Sequence, residues 1–187
     1  MLKLTVFFCM IFSAICFAEN RKFIIADFDS GKKPSNLGGD FGSWDNDPGD
    51  KTHTCVDSFA RSIRRGPGGY SLRVIYDVAS SNPAFNGVWF KLNNADFTPF
   101  TKLVLWVKGD KIRGFTKVFK LELKNARGEK GAYYVSGISE EWTKIEIPLR
   151  RFGLKDYSQM DELVIVFEDN KVTEKEGVIY IDDIYLE

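Results

Sequence analysis

From about residue 20 onward the chain alternates. Residues 70–78 place Leu72, Val74, Tyr76 and Val78 on one side and Ser71, Arg73 and Asp77 on the other. Residues 87–92 set Val88, Phe90 and Leu92 against Trp89 and Lys91, and Phe119, Leu121 and Leu123 oppose Lys120, Glu122 and Lys124. Such short runs of period two predict antiparallel strands with one buried and one wet face. Residues 103–107 and 163–167 are apolar on both faces and predict central strands. Residues 23–28 open the domain and residues 178–186 close it. A further strand over residues 141–147 stops at Pro148, which has no amide to give to a ladder.

Turn residues separate these runs: Gly66-Pro67-Gly68-Gly69, Asn93-Asn94, Gly109-Asp110, residues 125–128 and Asp169-Asn170. Nine or ten short strands with no amphipathic helix predict an all-β antiparallel sandwich of the jelly-roll kind. Residues 30–50, rich in Gly, Asp, Asn and Pro, read as one long irregular loop. A loop of that length in a compact domain is usually functional or ion-bound, and its part over residues 40–50 has no assigned partner.

The first residues alter the picture of where the domain works. Lys3 precedes an almost wholly apolar run over residues 4–17, and Ala18 stands before the polar Glu19-Asn20-Arg21-Lys22. That is the plan of a secretory signal peptide, which predicts cleavage after residue 18, a single domain over residues 19–187, and a secreted or periplasmic protein. No later run approaches the ~20 apolar residues of a membrane helix, so no stable membrane insertion is expected once the signal is gone. The 26 basic residues balance the 26 acidic ones, which favours neither nucleic acid nor an anionic membrane as a partner. Cys9 and Cys16 leave with the signal. Cys55 then stands alone, excluding a disulfide framework, and reads as a small buried hydrophobe.

Catalytic motifs are lacking. His53, the one histidine, has no nucleophile or orienting carboxylate attached by motif and reads as solvated or structural. A pair with Cys55, two residues on, shares a strand side but not an attack geometry. The glycines at 39, 42 and 49 form no phosphate loop, and no motif nominates two carboxylates for glycoside hydrolysis. Calcium is better supported, since it takes six to eight oxygens, mostly carboxylates and carbonyls. If the first and last strands pair, Asp29 and Asp182 meet at a sheet edge, where like charges repel unless a cation joins them. The other clue is a set of wet-face residues, Trp89, Lys91, Tyr133 or Tyr134, Ser136, Arg73 and Asp77, suited to one exposed surface. Sugars bind such platforms by stacking C–H faces on aromatic rings and pairing their hydroxyls with polar groups.

Three stretches together carry a family likeness: Asp27-Phe28-Asp29-Ser30-Gly31, residues 69–74, and Ile179-Tyr180-Ile181-Asp182-Asp183-Ile184. With Trp106 to Asp110, and with residues 141–149 followed by Phe152, they resemble the galactose-binding-like jelly rolls. Family 11 carbohydrate-binding modules and complex I intermediate-associated protein domains are the most similar of these. The resemblance implies two antiparallel sheets, a structural calcium held through Asp29 and Asp182, and a concave face that binds glucans. On the matching strands that face would offer Trp89, Lys91, Tyr134 and Ser136. The expected function is thus a secreted, non-catalytic binder of a polysaccharide or oligosaccharide. Two other classes stay open: an envelope scaffold binding a protein partner, signalled by a large apolar patch, and a small glycan-active enzyme, signalled by a deep pocket with two convergent carboxylates.

Overall fold

The computed structural model of the protein describes residues 22–187, and the leader expected over residues 1–18 lies outside them. Eleven strands follow in chain order: β1 (Phe23–Ala26), β2 (Phe41–Asp45), β3 (Thr54–Ala60), β4 (Ser71–Asp77), β5 (Phe85–Ala95), β6 (Lys102–Gly109), β7 (Val118–Asn125), β8 (Lys130–Ser136), β9 (Thr143–Pro148), β10 (Met160–Glu168) and β11 (Glu176–Leu186). One sheet runs β3-β4-β11-β6-β9 with β1 also paired to β11, and the other runs β2-β5-β10-β7-β8. Every pairing is antiparallel. The described residues contain no α-helix, and none of their helices is long and apolar enough to cross a membrane.

The inward sets read from the sequence form the core. Leu72, Val74, Tyr76 and Val78 of the first sheet meet Val88, Phe90, Leu92, Phe119, Leu121 and Leu123 of the second in one buried cluster. Tyr76 and Phe167 stack across the gap at 4.1 Å with ring planes 9° apart, tying β4 to β10. At the other end Phe28, Phe41, Phe59 and Phe90 form a second aromatic knot, with Phe41 stacked on Phe90 at 5.4 Å. Deleting a buried aromatic removes its burial and leaves a cavity. We therefore expect Phe167→Ala to cost about 3–5 kcal/mol, seen as a lower urea midpoint at unchanged slope. A loss below ~1 kcal/mol would show that the inter-sheet stack is dispensable.

Two departures from the sequence reading matter for function. The stretch over residues 30–50 is not one loop, because β2 lies inside it as an edge strand of the second sheet. Its Phe41 points into the core opposite Phe90, so Trp44 points outward. The closing strand is also not straight. Ile179 and Ile181 point inward and so do Ile184 and Leu186, a frame change made by a bulge between Asp182 and Tyr185. Asp183 takes a positive φ of 47° there. Bulges re-aim side chains in this way, and here the re-aimed residues are both acids.

Candidate functional site

Successive outward residues on the second sheet line up into rows, because strand register fixes which side chains face each other. One row crosses the sheet as Gly42, Trp89, Val164, Glu122 and Ala132. The next crosses as Trp44, Gly87, Val166, Lys120 and Tyr134. Each indole thus stands beside a glycine, which gives the large ring lateral room. The glycine at 87 is also forced from below, since a Cβ there would come within 1.8 Å of the Ile165 carbonyl oxygen. Phe85 meets the Trp44 ring edge-on at 5.8 Å. The face therefore has an aromatic wall along β2 and β5, a small and aliphatic floor, and Tyr134 at the far edge.

A third row is ionic: Lys91, Glu162, Lys124 and Lys130. Glu162 lies 3.1 Å from Lys91 Nζ and 2.8 Å from Lys124 Nζ. Burial works against its charge, but the two ammoniums outweigh it and hold the carboxyl below its usual range. Glu122, buried, pairs with Lys120 at 3.0 Å and Lys130 at 2.5 Å. Lys120 also reaches Glu168 at 2.6 Å, and Tyr134 donates its hydroxyl to the same carboxylate at 2.8 Å. That bond to Glu168, with some burial, raises the Tyr134 pKa. Between wall and ion row lies a depression of about 240 Å³, lined by Trp44, Trp89, Glu122, Lys124, Lys130, Glu162 and Val164.

Of the residues expected to share one exposed surface, four lie on the same face of the second sheet: Trp89 and Lys91 on β5, and Tyr134 and Ser136 on β8. Tyr133 points inward instead, toward Phe152. Arg73 and Asp77 do not join them. Both are on β4 of the first sheet, on the opposite face of the sandwich, where Arg73 is register partner to Ser58 and Tyr180. Asp77 there accepts the Ala79 amide at 2.8 Å. Trp44 was missed by the sequence reading, as were the paired acids Glu122 and Glu162. The outward position of Glu122 and of Lys120, two residues before it on the same strand, was readable from the alternation, but the second partner, Lys130 on β8, was not.

The first and last strands do pair, with β1 antiparallel to β11. Asp29 and Asp182 line one depression of about 460 Å³ with Asp183, Arg65 and residues 66–69. Asp182 is buried and accepts the Arg65 amide at 2.8 Å. Burial, reinforced by the charges of Asp183 and Asp29, raises its pKa to about 7. Burial also raises the Asp29 carboxyl, with Asp27 and Asp183 adding to the effect. Asp183 is paired with the Arg65 guanidinium, which lies over the Trp106 ring at 3.7 Å. The glycine at 69 is required here, because a Cβ would fall 1.9 Å from Asp29 Oδ1. The donors are hard oxygens, the type calcium takes. Among the described residues, though, no group of three or more His, Cys, Asp or Glu side chains is placed to hold a metal.

His53 is buried rather than solvated. Its Nδ1 lies 2.6 Å from Asp45 Oδ1, out of line for a hydrogen bond, and its Nε2 lies 3.8 Å from Asp50 Oδ2. The imidazole thus sits between two acids that flank the turn after β2. Cys55 is a free, partly buried thiol whose pKa is pushed up by burial and by the charges of Asp57 and Asp45.

This architecture is shared with solved carbohydrate-binding modules. The family 11 module of the cellulosomal cellulase Lic26A-Cel5E of Clostridium thermocellum superposes with a TM-score of 0.64 at 18% identity, covering 89% of this chain and 94% of that one. The Clostridium thermocellum family 11 module solved with a β-1,3-1,4-mixed-linked tetrasaccharide gives 0.64 and 18%, over 88% and 94%. A family 28 module specific for non-crystalline cellulose gives 0.58 and 14%, over 87% and 92%. The fold is therefore the jelly roll of these modules. In sequence, residues 38–187 match the family Carbohydrate binding domain 30, and the chain belongs to that family. No curated protein matches the sequence.

Proposed function

We propose that the protein binds a polysaccharide chain on the outer face of the second sheet and performs no chemistry on it. One observation carries the reading: Trp44, Trp89, Phe85 and Tyr134 share a single face with a row of paired lysines and glutamates. Rings there can stack on sugar C–H faces while the charged groups take hydroxyls. Family membership points the same way, to a binding module rather than a catalytic one. The mixed-linked tetrasaccharide bound by the Clostridium thermocellum module makes oligosaccharides of that size a reasonable first probe.

The two carboxylates of the depression do not argue for hydrolysis. A glycosidase needs one carboxyl kept protonated as general acid. Glu162 is held below its usual range by the ammoniums of Lys124 and Lys91. The test is native affinity electrophoresis against a broad panel of soluble polysaccharides. Retardation by at least one of them, without release of reducing sugar, is the expected outcome; no retardation by any would remove the binding reading.

Two further parts of the proposal stand on other ground. The apolar run over residues 4–17 supports export, checked by whether the mature protein begins at Glu19. The meeting of Asp29 and Asp182 supports a structural calcium. Two carboxylates are too few alone, so backbone carbonyls of the surrounding loops would complete the six to eight oxygens.

A further inference from the structure

On the second sheet's outer face three lysines stand out above two sunken glutamates, with Lys120 sunk beside them at 16% exposed. The Lys91, Lys124 and Lys130 side chains are 43%, 41% and 51% exposed, whereas Glu162 and Glu122 are 13% and 7% exposed. The rows already described explain the difference. The glutamates sit on β10 and β7 in the middle of the sheet, and Lys130 and Lys91 reach in from β8 and β5. Each ammonium has three donors. Lys124 directs one to Glu162 and Lys130 one to Glu122, which leaves the others for an incoming acceptor. Lys33, itself paired with Asp57 at 3.5 Å, adds a fourth ammonium at the aromatic wall, since its Nζ and the Trp89 ring each come within 3.4 Å of where a Cβ at 42 would stand. Against these stands Asp161, 44% exposed beside Lys91.

Resting on the binding-face reading above, we propose that this face takes an acidic polysaccharide, whose carboxylate or sulfate groups pair with Lys91, Lys124 and Lys130 while its sugar rings stack on Trp89 and Trp44. Lys91 and Lys124 lie on strands two apart, hence ~10 Å from one another across the sheet, and the row crosses the strands as an extended chain laid over the rings would. The buried glutamates preset the ammoniums, so little side-chain freedom is lost on binding. They also cancel the charge at a distance, as the balanced formal charge of the whole chain does. Recognition is therefore a contact effect, not long-range steering.

The test is a titration of the intact protein with three soluble polymers: a polyuronate (carboxylate), a sulfated galactan (sulfate) and a neutral mixed-linked glucan. Binding to one of the two acidic polymers is expected to be at least tenfold tighter than to the glucan, and to weaken about tenfold between about 50 and 300 mM salt. Whichever acidic polymer binds tells carboxylate from sulfate. Lys124→Gln with Lys130→Gln should lose that preference, and Lys124→Arg with Lys130→Arg should keep it. Should the glutamine pair fail to fold, Lys124→Gln with Glu162→Gln removes an ammonium and its carboxylate together and must show the same loss. Preference for the neutral glucan would overturn the proposal and leave polysaccharide binding intact. Binding to none of the three but to another, neutral polysaccharide would overturn this proposal alone, and no binding to any polysaccharide would overturn both. Acidic-polymer binding that survives Trp89→Ala would mark mere charge attraction and overturn the proposal as well.

Discussion

Trp89→Ala is expected to weaken polysaccharide binding about 30-fold or more while leaving the fold unchanged. A buried interfacial tryptophan typically contributes ≥ 2 kcal/mol when truncated, which is about that factor. Trp89 faces Gly42 on one side and Val164 on the other, and it lines the depression together with Lys124 and Glu162. Its ring is only half-buried and points away from the core, so the far-UV spectrum and urea midpoint should stay close to the parent's. Arg73→Ala provides the matched control, because Arg73 lies on the other sheet and its loss should change affinity less than about twofold. Isothermal titration of both variants decides the matter. Equal affinity of Trp89→Ala and the parent, or a large loss in Arg73→Ala, would put the ligand elsewhere.

The second large effect concerns the acids beside the paired first and last strands. Asp182 has a folded pKa of about 7, against ~3.9 for an aspartate in an unfolded chain. Between those values the native state holds a proton that the unfolded state has released, so stability falls as pH rises through this window. The penalty is absent below the unfolded value and complete above pH 7. In excess chelator the protein should therefore melt lower at pH 8 than at pH 5, and Asp182→Asn should melt higher than the parent at pH 8. Calcium should reverse the order. At a hundred times its dissociation constant a native-state ligand adds about 2.7 kcal/mol, or roughly 5–10 °C in a domain of this size. The parent should gain that at pH 8 and Asp182→Asn should not. A melting temperature indifferent to both calcium and chelator would take calcium out of the picture and leave the Arg65 guanidinium, paired with Asp183, as the local cation.

Much of the fold was legible because its signal is local. Period-two alternation states which residues of a strand are buried, and Leu72, Val74, Tyr76, Phe119 and Leu121 are all core. What alternation cannot state is which sheet a strand joins. Arg73 and Trp89 both read as wet-face residues, yet they lie on opposite sides of the sandwich because β4 and β5 belong to different sheets. Sheet membership is decided by pairings far apart in sequence. The miss at β2 has another cause. Five residues flanked by Gly39, Asp40, Asn46 and Asp47 look like loop, and only Phe41 inward with Trp44 outward betrays the strand. The bulge in β11 was in principle readable, since Ile179 and Ile181 fall out of step with Ile184 and Leu186. Apart from Lys120 with Glu122 on one strand, the lysine–glutamate pairs were not, because they join residues 38 or more positions apart or depend on register.

Amide chemical-shift mapping with an oligosaccharide that the protein binds tests the location of the site most directly. The expected shifts lie on β2, β5, β10, β7 and β8, centred on Trp44, Trp89, Lys124 and Val164, with the Trp44 and Trp89 indole resonances moving most. Shifts confined to the outer face of the first sheet around Arg73 and Asp77, or to the loop over residues 61–69, would contradict it.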